Sequence, residues 1–108
     1  MTSLIVKSGI CGFIAKIDVE KVDEKKCKVK ISTACPMVTD LGNALPEIEM
    51  GDIFKKHTDS VVYKLAGECH LHTACPVPMA VLKAAEAACE LALPCDVVLM
   101  FDSMHTLK

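Results

Sequence analysis

The chain has 108 residues and a mass of 11.7 kDa, the length of one domain spanning 1–108 and not of two. Apolar residues make up 52% and charged residues 24%, a balance that excludes an intrinsically disordered chain. The net charge of −2, with both signs well mixed, argues against nucleic acid or an anionic membrane as the main partner.

Leu4-Ile5-Val6 reads as a brief strand ending in the turn Lys7-Ser8-Gly9. Gly9-Ile10-Cys11-Gly12 then sets a cysteine between glycines. From Phe13 the chain alternates. Phe13, Ala15, Ile17 and Val19 fall on one face, and Lys16, Asp18 and Glu20 on the other, which predicts a half-buried strand. Asp23-Glu24-Lys25 makes a turn, and Cys27, Val29 and Ile31 alternate with Lys26, Lys28 and Lys30 in a returning strand. The charged residues of this hairpin read as a solvated sheet face with cross-strand pairs.

Pro36 to about Leu45 predicts a short helix closed by Pro46. Two further short helical segments follow, one around Ile53-Phe54 and His57, one around Val61, Val62 and Leu65. Ser60 or Asp59 is the N-cap of the second. Pro76 through Ala92 predicts the longest helix, rich in alanine. Its buried stripe is Val77, Val81, Leu82, Ala85, Ala88, Cys89 and Ala92. Leu93-Pro94-Cys95 ends it, and Val97–Phe101 reads as a final buried strand. The expected fold is therefore α+β, a two-layer sandwich. Its small, mostly antiparallel sheet has three N-terminal strands and one C-terminal strand, and helices cover one face. Aromatic residues are few (Phe13, Phe54, Tyr63, Phe101) and Trp is absent, so the core is aliphatic with Met and Cys as filler.

Seven cysteines stand out in so short a chain. An odd number leaves one thiol over from any purely disulfide framework. Met1–Lys7 lacks the basic and long apolar regions of a signal peptide, and no apolar run spans a membrane. A cytoplasmic protein with reduced thiols is the expectation.

Thr33-Ala34-Cys35-Pro36 and Thr73-Ala74-Cys75-Pro76 are the same four residues forty positions apart, each at the opening of a predicted helix. Proline suits the first helical position, where its missing N–H would be unpaired anyway. The preceding cysteine then faces free backbone donors and the positive end of the helix dipole, an arrangement expected to lower its pKa. The alternative is that Thr-Ala-Cys-Pro merely caps well and carries an inert buried thiol.

Cys69-His70-Leu71-His72 precedes the second Cys-Pro, so two thiols and two imidazoles fall within seven positions. Soft ligands in a short loop before a helix suit a metal or an iron–sulfur cluster. The expected ligand set is Cys11, Cys35, Cys69 and Cys75, with His72 as the alternative to Cys69. The spacing matches neither the ferredoxin run nor paired zinc knuckles. Cys27 and Cys89 fall on buried faces and read as packing. Cys95 is open between the two roles, and His57 and His105 read as surface imidazoles.

Gly9-Ile10-Cys11-Gly12-Phe13, Ser32 to Pro36, Cys69 to Pro78 and Leu91 to Pro94 resemble a family of small cysteine-containing prokaryotic proteins without an assigned reaction. The resemblance implies that Cys11, Cys35, Cys69 and Cys75 act as one set. Locally, Cys75-Pro76-Val77-Pro78 is similar to the Cys-Pro-x-Pro motif of TusA-like sulfur carriers, although here it stands late in the chain. That resemblance implies a persulfide held on Cys75.

Two functions follow as expectations. One is a thiol-based metal or iron–sulfur-binding protein, with zinc or a cluster as cofactor. The other is a persulfide relay or redox thiol protein acting through Cys75 and Cys35. A third reading is an interaction domain with incidental cysteines. The partner would be a metal or sulfur donor or acceptor protein, and the oligomeric state is open, a homodimer included. No phosphate loop, Ser-His-Asp set or paired-carboxylate motif supports a hydrolase or nucleotide enzyme.

Overall fold

The computed structural model describes residues 1–102. Three long strands, β1 (Thr2–Lys7), β2 (Ile14–Lys21) and β3 (Lys26–Thr33), lead into helix α1 (Pro36–Ala44) and the short strand β4 (Glu47–Glu49). Two 3-10 turns, Met50–Phe54 and His57–Asp59, connect to α2 (Val61–Glu68), and α3 (Val77–Ala88) follows. The sheet runs β1-β2-β3-β4 and every neighbouring pair is antiparallel.

Alternation sets the register. Ile17 stands between Leu4 of β1 and Ile31 of β3, and Val19 stands opposite Val29. Ala15, Ile17, Val19, Cys27, Val29 and Ile48 are buried on this face. On the other face Lys28 lies between Glu20 of β2 and Glu47 of β4, and Asp18 lies opposite Lys30. The Ser3 hydroxyl donates to the Asp18 carboxylate across β1 and β2. The charged ladder is thus a solvated face, as its sequence predicts. In the β2–β3 turn Asp23 Oδ1 accepts from the Lys25 and Lys26 amides at 2.7 and 3.0 Å, an Asx turn.

All three helices pack toward the apolar face. α3 covers β1 and β2, α1 covers β3, and α2 leans on both helices. α1 comes very close to the sheet at Gly42, where an added Cβ would lie 3.2 Å from the Ile31 Cβ. Ser60 is the N-cap of α2, and its hydroxyl accepts from the Tyr63 amide at 3.4 Å.

α2 and α3 end alike. After Cys69, His70 takes φ 63°, and its amide and that of Leu71 bond back to the Gly67 and Ala66 carbonyls. After Cys89, Glu90 takes φ 60°, with Glu90 and Leu91 bonding to Ala87 and Glu86. Both are Schellman closures with a side chain where glycine is preferred. His70→Gly and Glu90→Gly are each expected to raise the unfolding free energy by about 0.5–1 kcal/mol, measured by urea melts.

Two expectations need correction. Val97–Phe101 is not a buried strand: among the described residues the segment has no strand partner, and it is exposed throughout. The fourth strand is Glu47–Glu49, held to β3 by Cys27 opposite Ile48. Three residues are too few for alternation to signal a strand, whereas Val97–Phe101 carries strong β-formers, and composition alone does not supply the neighbouring strand that a sheet requires. The long helix also stops at Ala88, because Glu90 breaks the helical backbone. Ala92 is therefore exposed and outside the buried stripe.

Candidate functional site

The β1–β2 connection folds as a tight turn, with the Gly12 amide donating to the Gly9 carbonyl at 2.9 Å. Gly9 and Gly12 take φ 90° and 77°, a conformation costly for any side chain. Cys11 sits exposed between them. The β3–α1 junction supplies Cys35, the N-cap of α1, with Pro36 at the first helical position. Its amide is bound by the Thr33 hydroxyl at 3.2 Å, so the repeated threonine orders the chain before the helix.

The second copy of the motif is displaced by one residue. Pro76, not Cys75, is the N-cap of α3, and the helix begins at Val77. The Cys75 amide donates to the His72 carbonyl at 3.0 Å, which folds His72 back beside it.

These three segments meet. Cys11, Cys35, Cys75 and His72 line one cavity of about 70 Å³, walled by Phe13, Ala15, Met37, Val38, Leu71 and Val77. Cys35 is buried, Cys75 is half-buried, and Cys11 and His72 stand exposed at the rim. The cavity therefore grades from a dry thiol inside to a wet thiol and imidazole at the mouth.

Cys69 does not line this cavity. It is the C-cap of α2, and its thiol is pushed up by burial and by the Asp40 and Glu68 carboxylates. Among the described residues no three His, Cys, Asp or Glu side chains already stand in a metal-coordinating arrangement.

The expected lowering of the Cys75 pKa does not hold. Burial pushes this thiol up, and the Val77 amide, which hydrogen-bonds it, pulls the other way without overcoming that cost. Cys35 and Cys11 add to the rise, because a second or third thiolate in one apolar cavity repels the first. The helix start aids the thiolate, but desolvation wins.

The remaining cysteines separate clearly. Cys27 and Cys89 are buried in the core with their sulfurs 2.9 Å apart, in line with a packing role. Burial, then the hydrogen bond with Cys89, pushes the Cys27 thiol from 9.0 up to about 12. Below pH 9 folded and unfolded chains both keep this proton, and the contribution to stability is complete. Above it the unfolded chain releases the proton first, so stability falls by about 1.4 kcal/mol per pH unit until the folded thiol titrates. Urea melts from about pH 8 to about pH 10.5 should show a shallower decline for Cys27→Ala than for the parent chain. Cys95 is exposed. The His57 ring lies against Tyr63, with centroids 5.8 Å apart, and His105 lies outside the described residues.

No helix among the described residues is long and apolar enough to cross a membrane. A protein-family model described as a family of unknown function (DUF6951) matches residues 2–101. No curated protein and no solved structure matches the chain.

Proposed function

Since the chain belongs to the DUF6951 family, whose description names no reaction, we propose from the cavity itself that the protein binds a single thiophilic metal ion of the zinc class. The ligands are Cys11, Cys35, Cys75 and His72. The observation that carries this reading is the convergence of three thiols and an imidazole on one small cavity. Three sulfurs with one imidazole form a donor set suited to tetrahedral zinc. With Cys69 elsewhere, the four thiolates that usually hold an iron–sulfur cluster are not assembled.

Electrostatics supports the same conclusion. Neutral thiols suit the apolar walls, but several thiolates do not, unless a cation neutralises them. Binding would release thiol protons, so affinity should fall as pH is lowered. Coordination needs Cys11 and His72 to turn inward from the rim, where their exposure leaves them room.

Reduced protein prepared without oxygen and titrated with Co(II) should develop tetrahedral absorption with thiolate charge-transfer bands, saturating at one equivalent and displaced by Zn(II). A titration with no such bands at equimolar metal refutes the reading.

The Val77 amide on the Cys75 sulfur favours a second reading, a sulfur relay. The Cys75 thiolate would attack the outer sulfur of a donor persulfide, forming a Cys75 persulfide and releasing the donor thiolate. A gain of one sulfur atom at Cys75 in the mass spectrum, lost in Cys75→Ser, supports it. An unchanged mass sinks it.

A further inference from the structure

Among the described residues β1 is the outermost strand of the sheet and its second edge is unpaired. Exposed edges of this kind are templates for another strand. Beside it runs a groove of about 1080 Å³, bounded by β1, by α3 and by the segment 92–101. That segment is an extended arm. Val97, Val98, Leu99, Met100 and Phe101 are 51, 69, 83, 85 and 105% exposed. Among the described residues they make no backbone hydrogen bond.

We propose that the β1 edge is a dimerisation surface, taking the Val97–Phe101 arm of a second copy as an added strand while giving its own arm in return. Each protomer holds both halves of the contact, a free edge and an unpaired strand, so a two-fold exchange satisfies both at once. Val97–Phe101 is five consecutive β-formers or large apolar residues without a charge, glycine or proline, the composition of a strand covered on both faces.

A turn at Pro94 precedes the arm. The proline ring fixes one backbone angle and disfavours a helical Leu93, and the Cys95 amide closes a small turn on the Leu93 carbonyl at 2.8 Å. The arm forms one wall of the groove without filling it.

Exposed apolar surface stands on both halves of the contact. A typical complex buries about 800 Å² on each partner, and Phe101 alone brings about 150–250 Å² when fully covered. Four more exposed side chains and the matching groove, including Ile5 at 67% exposure, are counted on both protomers.

Sedimentation equilibrium of the full reduced chain should give a species of twice the 11.7 kDa chain mass. Leu99→Asp should weaken the dimer at least tenfold, on the order of what one charge in a covered apolar strand costs, with an unchanged circular dichroism spectrum. Amides of Thr2–Lys7 should exchange more slowly as protein concentration rises. A parent chain that stays monomeric at about 100 µM, far above the dissociation constants of standard-sized interfaces, overturns the proposal. So does a Leu99→Asp dimer of unchanged affinity. A monomer whose β1 amides are protected at all concentrations assigns the groove to the chain's own arm, and also overturns it.

Discussion

Cys75→Ser is expected to weaken Zn(II) binding by at least about 100-fold, the upper end of what even a lost outer-shell contact costs, while Cys69→Ser leaves it within about twofold. The contrast is informative because the two cysteines stand so close in sequence. Cys75 lines the cavity with Cys11, Cys35 and His72, whereas Cys69 caps α2 beside Asp40 and Glu68. A hydroxyl is a poor replacement for a thiolate toward a soft cation. Cys35→Ser should behave like Cys75→Ser, with additional loss of stability from a polar group placed at a buried site. Competition against a chromophoric chelator measures all three. Equal loss in Cys69→Ser and Cys75→Ser would mean that α2 contributes a ligand and that the cavity is not the binding site.

Ile17→Ala should remove roughly 2–5 kcal/mol of unfolding free energy, the cost of a large-to-small change at a fully buried position. Ile17 is 0% exposed at the centre of β2, flanked by Leu4 and Ile31 and roofed by α3. Strands on both sides limit how far the neighbours can close the void. A domain of this size is stable by only about 5–15 kcal/mol, so the variant should melt many degrees below the parent. Ile14→Ala, on the exposed face of the same strand at 54% exposure, should change stability by about 0.5 kcal/mol or less. Parallel urea melts give both values, and a similar loss at the two positions would contradict the one-sided burial of the sheet.

The elements most legible in the sequence were those whose period is enforced by a buried face. The alternation from Phe13 to Val19 and from Cys27 to Ile31 returns as β2 and β3, with the same residues inward. Pro36, Pro46 and Ser60 bound helices through local backbone chemistry, and they bound them here. β4 was hidden because pairing with β3, not its own three residues, makes it a strand.

The thiol site was legible in part. Gly9-Ile10-Cys11-Gly12 and the two Thr-Ala-Cys-Pro segments contain the three cysteines that meet. Proximity along the chain groups Cys69 with them, but the fold places it at the end of α2, outside the cavity. The signal for its true place is another internal likeness, Cys69-His70-Leu71 and Cys89-Glu90-Leu91, each the closing turn of a helix. The direction of the Cys75 shift depends on how deeply the cavity encloses it, and the surrounding walls come from three separate segments.

The sheet is a meander, and this has a kinetic consequence. The β1–β2 and β2–β3 pairs close over short connections, so these hairpins can form while the rest of the chain is still open. Docking of α3 over β1 and β2 joins residues far apart in the chain and comes at greater entropic cost. The three thiols lie on the two sides of that late event: Cys11 and Cys35 border the meander, and Cys75 arrives with α3. An ion that needs all of them meets its full set of ligands only in the finished molecule. It would therefore slow unfolding while leaving the rate of folding almost unchanged.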